Sequence, residues 1–323
     1  ELFHVTYDES FTAPGINAVT YGFKDRLWAT FLEGDVFFST QWAMKVGARL
    51  EQTSLLNERN LSPRISMAYK SGEKGQFSLA YGAFVQNPTN AVLRFDQDLA
   101  SERASHYLLN YQYVDKGRTF RAETYYKQYK GLVKFNTEMP QFNSNFTNLG
   151  GGHAAGLDVF WRDNTSIKNL DYWLSYSYLD TQRDFGNFEE AARPNFAPAH
   201  SLSLVTKYWV DDLRSQVGLS YQYGSGRSYN DPNTTAFLAG RTKPFNNLSL
   251  NWAYLIDQQK ILYFSVNNVL GFNNINNYQY ANAPNSDGIF DRRAIRPAAD
   301  SFFFVGFFWT LSKDGKANQL DNL

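Results

Sequence analysis

The sequence predicts an all-β fold, a transmembrane antiparallel up-and-down β-barrel with about fourteen strands in this chain. Three observations predict it: long segments alternate apolar and polar residues, aromatic residues make up 17% of the chain, and short and long connections alternate. A tilted strand needs about nine to eleven residues to cross a hydrocarbon layer, whereas an ordinary strand has about five or six. The long alternating segments therefore favour a membrane barrel over a soluble all-β sandwich.

The hairpin over residues 102–133 shows the alternation most completely. In its first arm Tyr107, Leu109 and Tyr111 share one parity, and polar residues occupy most of the other. The residues at 115–117 predict a tight turn, because Asp bonds its own backbone and Gly tolerates a positive φ. The second arm, from Phe120 onward, alternates in the same way.

The remaining strands follow from the same period of two. Before the hairpin they cover residues 2–7, 27–38, 42–52, 65–69 and 77–81. After it they cover residues 156–162, 172–178, 202–208, 216–223, 247–254, 262–266 and 301–311. With the two arms of the hairpin, the predicted strands number about fourteen.

The connections between these strands alternate strictly in length. The short ones are residues 39–41, 71–75, 115–117, 164–169, 210–213 and 257–259. The long ones are residues 8–26, 53–61, 86–101, 134–151, 181–198, 224–243 and 271–300. Up-and-down outer-membrane barrels have short periplasmic turns and long external loops. The pattern therefore predicts external long loops, with the short turns and both chain ends on the periplasmic side.

Composition excludes several classes of protein. The 31 basic and 31 acidic residues balance, so nothing in the charge favours nucleic acid as a partner. No apolar run approaches the roughly eighteen residues of a spanning helix, and the absence of Cys excludes disulfides and thiolate metal sites. The sequence opens at Glu1 without a basic region or an apolar signal core, so we expect a mature, processed or truncated chain. We expect one barrel domain over residues 1–311 and a polar periplasmic tail over residues 312–323.

The polar parity of the strands carries charges that a lipid face would not tolerate. A basic residue facing mid-bilayer costs about 2 to 4 kcal/mol, so these side chains are expected to face a wet or protein-filled lumen. The predicted lumen-facing set is Arg49, Glu51, Arg121, Glu123, Lys127, Asp158 and Arg162. The predicted lipid-facing set is Tyr107, Leu109, Phe120, Leu157, Leu219, Leu250 and Phe264. The last strand is apolar on both parities, which indicates either contact with a packed element or a neighbouring loop, or a terminal assembly signal.

Three long loops, residues 134–151, 224–243 and 271–300, concentrate aromatic and basic groups. The candidate ligand-binding residues are Phe142, Phe146, Tyr229, Arg241, Tyr278, Tyr280, Arg292, Arg293 and Arg296. Such residues stack on sugar or aromatic faces and pair with carboxylates. Alternatively, they pack the loops together or gather lipopolysaccharide. We hypothesise that the basic group at 292–296 helps to hold an anionic or polar solute at the external mouth.

Several runs together resemble the barrel of TonB-dependent outer-membrane transporters, most closely those of Bacteroides-type bacteria. They are LASERASHY at 99–107, RAETYYKQY at 121–129, GLDVF at 156–160 and SVNNVL at 265–270, with YGAFVQNP at 81–88, PAHSLSL at 198–204 and GSGRSY at 224–229. The resemblance implies an outer-membrane receptor that binds a scarce solute, such as a siderophore, glycan or peptide, at its external loops and imports it with TonB energy.

The same resemblance implies the partners and also shows departures. Partners would be outer-membrane lipid and lipopolysaccharide, the TonB complex, and a surface lipoprotein or other subunits. The family's barrels have about 22 strands around a plugged lumen, whereas this chain has about fourteen and no plug-like segment. TonB contact would therefore pass through a plug absent from this chain. We therefore expect the chain to be the carboxy-terminal part of such a barrel, with the remainder removed or supplied as another chain, or else a smaller barrel closed on itself. The alternative function is a passive pore or a structural barrel component.

The sequence carries no enzyme, cofactor or metal signature. The four histidines, His4, His106, His153 and His200, lack the spacing of metal ligands. Residues 285–291 resemble a calcium loop weakly but lack its distal Glu, so an Asx turn is the favoured interpretation. No Ser elbow or Gly-rich phosphate loop is present in the sequence.

Overall fold

The computed structural model describes residues 1–13 and 16–311, and it describes side chains in these ranges except over residues 11–20. The predicted tail over residues 312–323 lies outside the described residues, as do Pro14 and Gly15. No helix in the described part of the chain is long and apolar enough to cross a membrane.

Eighteen strands account for most of the described residues. They are β1 (Leu2–Ala13), β2 (Ile16–Phe37), β3 (Trp42–Thr53), β4 (Glu58–Ser71), β5 (Gly75–Gln86), β6 (Glu102–Asp115), β7 (Arg118–Lys134), β8 (Thr147–Asp163), β9 (Leu170–Asp184), β10 (His200–Val210), β11 (Ser215–Gly224), β12 (Ser228–Tyr229), β13 (Gly240–Arg241), β14 (Phe245–Asp257), β15 (Lys260–Asn267), β16 (Asn277–Tyr280), β17 (Arg292–Ile295) and β18 (Phe302–Trp309). A one-turn helix, α1, covers Asn90–Leu93, and a 3-10 turn covers Asp211–Leu213.

Fourteen of these strands form one sheet in which each strand neighbours the next along the chain. The order is β1 through β11, then β14, β15 and β18. The four short strands form two separate pairs, β12 with β13 and β16 with β17. The predicted antiparallel up-and-down sheet of about fourteen strands is therefore confirmed.

The chain divides into two compact units. Unit 1 consists of Glu1–Tyr111, Glu123–Gly156 and Asp180–Pro194. Unit 2 consists of Gln112–Ala122, Leu157–Leu179 and Asn195–Leu323, described as far as residue 311.

The strand register in unit 1 sorts side chains onto two faces. Met44 pairs with Val36 and Met67, and Met67 pairs with Leu79, which makes one apolar row across β2 to β5. Lys45 belongs to the opposite face, since successive residues of a strand point to opposite sides. A shift of one residue would exchange the two faces, so this apolar row holds the register.

Unit 2 shows the same separation of faces. Leu219 pairs with Leu250, Leu250 with Val266, and Val266 with Phe303, which makes an apolar row across β11, β14, β15 and β18. Gln222 pairs with Asn247 on the other face. We call the face of Gln222 the polar face of unit 2. The assignment of the apolar rows to lipid and of the polar faces to the lumen remains a prediction.

The tight turn predicted between β6 and β7 is present. Lys116 has φ 41° and Gly117 has φ 85°, the left-handed backbone of a two-residue hairpin turn. A Cβ on Gly117 would lie 2.0 Å from the amide oxygen of Asn164. Glycine is required there by both the backbone angle and the available space.

Two of the predicted long connections are wrong. Most of the predicted loop at 8–26 is strand, because β1 continues to Ala13 and β2 starts at Ile16. Only residues 54–57 separate β3 from β4, where residues 53–61 were expected to form a long loop. Alternation continues through part of residues 8–26, with Val19, Tyr21 and Phe23 on one parity and Phe23 paired with Tyr7, but Pro14 and Gly15 favour a loop in the sequence. Short and long connections alternate only from β4 onward.

The apolar last strand packs partly against its neighbour. The rings of Phe304 and Phe308 have centroids 6.1 and 6.3 Å from that of Tyr263 on β15. Gly306 lies between them, and a Cβ there would come within 3.0 Å of both Phe rings. Phe304 and Phe308 therefore lie beside a ring of the neighbouring strand on one side, while 43% and 48% of each residue stays exposed.

Candidate functional site

The long connection over residues 268–301 in unit 2 is closed at its base by asparagine. Asn268 has φ 50°, and its amide nitrogen donates to the carbonyl oxygens of Phe272 and Asp300 at 2.9 and 2.7 Å. Asn274 donates to the carbonyl of Asn246 and accepts from its backbone N–H. Asparagine tolerates the left-handed backbone and bonds peptide groups, so the Asn-rich composition gives this loop an ordered base.

Two small hairpins are built within the long connections of unit 2. In the first, β12 pairs with β13, and Tyr229 lies directly opposite Gly240. A Cβ on Gly240 would come within 2.6 Å of the Tyr229 ring, so glycine lets the ring lie against the backbone. In the second, β16 pairs with β17, which places Tyr280 opposite Arg292.

Arg292 joins the two hairpins. Its guanidinium donates to the Tyr229 hydroxyl at 3.0 Å and lies 4.7 Å from the centroid of the Tyr278 ring. A carboxylate oxygen of Asp231 lies 4.0 Å from the same guanidinium. Tyr229 and Tyr278 also contact each other, with centroids 4.8 Å apart. The Arg292 charge is therefore compensated within the protein, and its first role is to hold the hairpins together.

The electrostatics of this group agree with that role. Burial opposes ionisation of Asp231, but the backbone N–H of Asn233 and the Arg292 guanidinium lower the pKa of its carboxyl. Burial raises the pKa of Tyr280 to about 12. The Tyr280 hydroxyl lies beside Asp231 and Arg292, although no described residue meets it at hydrogen-bond geometry.

A second contact between the two connections uses one amide. Asn233 donates from its side chain to the carbonyl of Phe290 at 3.0 Å and accepts from the Phe290 N–H at 2.7 Å. These two hydrogen bonds have the reciprocal pattern that joins paired residues of an antiparallel sheet. The predicted Asx turn at 285–291 is confirmed nearby in sequence, since the Asn285 side chain accepts from the N–H groups of Asp287 and Ile289.

The other candidate arginines are placed differently. Arg241 donates to Ser228 and to the carbonyls of Leu238 and Gly240 inside its own hairpin. Arg293 is exposed and donates to Gln279, its cross-strand partner. Arg296 is exposed just beyond β17. The structure thus brings Tyr229, Tyr278, Tyr280 and Arg292 together, while Arg293 and Arg296 face solvent.

Phe142 and Phe146 belong to unit 1. Phe146 packs on a small loop core of Val92, Leu99 and Val133, which supports a structural role for this ring. Phe142 is 80% exposed, so it is the one of the two that is open to a ligand.

A buried carboxylate in unit 1 was not among the predicted site residues. Asp25 is only 6% exposed and accepts from the Thr53 hydroxyl, from the N–H groups of Ser54 and Leu55, and from the side chains of Ser54 and Asn87. It anchors the 54–57 turn and the start of the next long connection. The sequence predicts a loop over residues 8–26 and so gives no sign that Asp25 is buried. The long pairing of β2 places Asp25 in this network.

The residues predicted to face the lumen form charged and polar contacts along their strands. Arg49 contacts Glu51 at 2.7 Å and Glu1 at 2.8 Å, and Arg162 binds Asp171 through two nitrogens at 3.0 and 2.8 Å. Of the other members, Glu123 lies near Asn110 and Lys127 lies over the Tyr125 ring. Arg121 is exposed and Asp158 is half-buried. Within the described residues, no group of three or more histidine, aspartate and glutamate side chains is arranged to hold a metal.

Several solved structures share this fold. The ferric-catecholate import receptor Fiu from Escherichia coli K12 is 11% identical with a TM-score of 0.67, over 95% of this chain and 50% of that one. The siderophore receptor PiuA from Acinetobacter baumannii is 13% identical with a TM-score of 0.69, over 90% and 44%. The FrpB iron transporter from Neisseria meningitidis is 13% identical with a TM-score of 0.67, over 90% and 45%. The chain spans about half the length of these proteins.

No curated protein matches the chain. A family match covers residues 3–269 under the description "TonB dependent receptor-like, beta-barrel". This span includes β1 to β15 except for the first residue of β1, so the match and the observed sheet describe the same part of the molecule. The chain therefore belongs to the family of TonB-dependent receptor-like β-barrels, which lie in the bacterial outer membrane.

Proposed function

We propose that this chain is the barrel part of an outer-membrane receptor that captures a scarce solute at its loops and imports it with TonB energy. The observation that carries the proposal is the ordered pair of hairpins in unit 2, joined by Arg292. Ordered, mutually bonded loops present a fixed surface, and a fixed surface lowers the entropy lost when a solute binds. We propose contact with TonB through a plug outside this chain, and no catalytic role.

The contacts of the arginines refine the hypothesis for the group at 292–296. Arg292 is held by Tyr229, Tyr278 and Asp231, so we assign it a positioning role. Arg293 and Arg296 are exposed on the same hairpin or next to it. We propose that these two contact an anionic or polar solute. The solved proteins named above are described as receptors or transporters of ferric catecholate, siderophore and iron.

Removing the two exposed charges should weaken uptake. Arg293→Ala with Arg296→Ala is expected to lower uptake of the physiological solute by about tenfold or more, since each charged hydrogen bond contributes about 1.5 to 3 kcal/mol. Adding Arg292→Ala should weaken uptake further by releasing the hairpins. Uptake is measured in cells carrying the intact receptor, across a panel of siderophores, glycans and peptides.

The matched control is Lys168→Gln, which removes an exposed cation from the short connection between β8 and β9. Barrel assembly, followed by heat-modifiability on gels, should stay the same in all variants. If uptake of every panel member is unchanged in the triple variant, the arginines have no part in capture.

A passive pore or a structural component of a larger assembly is the second candidate. The wide polar faces of the sheet favour it, since a hydrated lumen is what a pore requires. Steady ion conductance by the purified intact protein, with no dependence of uptake on TonB, would establish it against the receptor proposal.

The sidedness of the loops has its own test. Cysteines at Asn145, Asn187, Asn233 and Asn282 are expected to react with an impermeant reagent in intact cells, because these residues lie in the long loops. Cysteines at Lys116 and Asp257, in the short turns, should react only after lysis. Reaction of Lys116→Cys in intact cells would reverse the proposed topology.

A further inference from the structure

A recess with a volume of about 420 Å³ opens on the polar face of unit 2, over β9, β10 and β11. Its volume lies within the usual range of small-molecule sites, about 300 to 1,000 Å³. Its polar side chains include Ser175, Ser177, Ser201, Ser203, Gln222 and Arg227, besides Tyr223 and Ser225, whose hydroxyl already accepts from the His200 N–H. Of these residues only Arg227 adjoins a hairpin joined by Arg292, since it directly precedes β12 and bonds Thr242 after β13.

The serines form a regular grid. Ser175 lies directly opposite Ser203, and Ser177 lies directly opposite Ser201. Cross-strand partners are about 5 Å apart at Cβ, and alternate residues of one strand are about 7 Å apart. Gln222 extends the first row on β11, since it pairs with Ser203. The recess therefore presents four hydroxyls and an amide in two neighbouring cross-strand rows.

Arg227 supplies the single cation of the recess. Its backbone N–H donates to Thr242, which fixes the residue at the mouth of the 225–244 connection. Within the described residues, its half-buried side chain has no hydrogen bond or ion pair, and the side chains of the four serines and Gln222 have none either. Arg292 differs, because its guanidinium already contacts Asp231 and Tyr229. Arg227 is thus available to bind an anion.

An aromatic surface borders the same space. Phe245 pairs with Gly224 across β11 and β14, and Gly224 lies opposite Ser201 on the other side. Because Gly224 has no side chain, the ring of Phe245 is open to a flat partner beside the serine grid. Phe196 also lines the recess and is 56% exposed.

We propose that this recess binds a sugar carrying one carboxylate, with Arg227 binding the carboxylate and the serines and Gln222 binding the hydroxyls. The inference rests on the proposed function and adds a substrate class to it. Hydroxyl and amide groups without charge match a polyhydroxylated ring, and planar guanidinium matches a carboxylate. A single cation does not suit a multiply charged metal chelate, and a recess walled by hydroxyls does not suit an apolar peptide.

The test measures binding directly, by calorimetry on the intact receptor in detergent. The probes are D-glucuronate and D-galacturonate, each compared with its neutral methyl ester. At least one uronate should bind about tenfold or more tightly than its ester. Arg227→Gln should abolish this preference, and Arg227→Lys should keep part of it, since lysine retains the charge without the planar fork.

Two further variants separate charge from hydroxyl recognition. Ser203→Ala should weaken binding of the uronate and its ester by a similar factor, because both need the hydroxyl. Lys168→Gln, an exposed cation outside the recess, should leave both affinities unchanged. Heat-modifiability confirms that each variant is folded.

Three results would overturn the inference: equal affinity for uronate and ester, no binding of either, or an unchanged preference in Arg227→Gln. A cysteine at Ser203 that is protected from alkylation with no sugar present would also overturn it, because another segment of the receptor then fills the recess. TonB-dependent uptake of a solute without uronate binding rejects the recess alone. Uronate binding without any TonB-dependent uptake rejects the proposed transport alone.

Discussion

Replacing Leu219 or Leu250 by arginine is expected to make folding into a bilayer less favourable by about 2 to 4 kcal/mol each, if the position is near the midplane. The two residues are direct cross-strand partners in the apolar row of unit 2. An arginine there exposes a guanidinium to hydrocarbon, where no water or counter-ion stabilises it. The change is measured by urea-dependent folding into lipid vesicles, followed on gels by heat-modifiability.

The matched control is Gln222→Arg, on the polar face of the same strand β11. Its folding should change little, because the added charge is predicted to face a wet lumen. Equal losses from Leu219→Arg and Gln222→Arg would refute the assignment of the two faces, whatever the fate of the proposed sites.

Replacing Asp25 by alanine is expected to destabilise the 54–57 turn of unit 1 by about 3 kcal/mol or more. The buried carboxylate accepts from two backbone N–H groups, those of Ser54 and Leu55, and from three side chains. A buried donor left without an acceptor costs about 1 to 3 kcal/mol. Amide hydrogen exchange at Ser54 and Leu55 should therefore accelerate roughly a hundredfold, as mass spectrometry of this peptide would show.

The control for this change is Asp35→Ala on the same strand, β2. The Asp35 side chain is 56% exposed and lies 3.6 Å from Lys45, and an exposed pair of this kind contributes little. Exchange at Ser54 and Leu55 should not respond to it. Equal exchange in the Asp25→Ala variant and the unchanged protein would show that the network does not hold the turn.

The errors of sequence interpretation lie where loop signals or polar residues interrupt the apolar pattern. Residues 16–26 form strand, with Val19, Tyr21 and Phe23 on one parity and Phe23 paired with Tyr7 of β1. Pro14 and Gly15 favour a loop in the sequence and outweigh this short alternation. Residues 58–60 at the start of β4 are polar, and only their pairing with β3 shows that they are strand.

For the candidate site, the sequence likewise identified the loops but not the contacts within them. Aromatic and basic composition identified the loops that contain Tyr229, Tyr278 and Arg292, and the structure brings these three together. Composition alone did not distinguish Arg292, whose charge Asp231 compensates, from Arg227, which has no ion pair in the described part of unit 2. That difference depends on whether a carboxylate lies within a few ångströms of the guanidinium. The residues next to each arginine in the sequence do not decide it.

The sequence by itself determined the fold class, the approximate number of strands in the sheet and the parity of the strands that alternate, because alternation along a strand is a local property. Tertiary structure alone decided the length of β2, the burial of Asp25, the joining of two hairpins by Arg292 and the serine grid beside Arg227. Each of these depends on residues from different strands or loops meeting in one place. Register and loop packing bring them together, and both are set by pairing across the sheet.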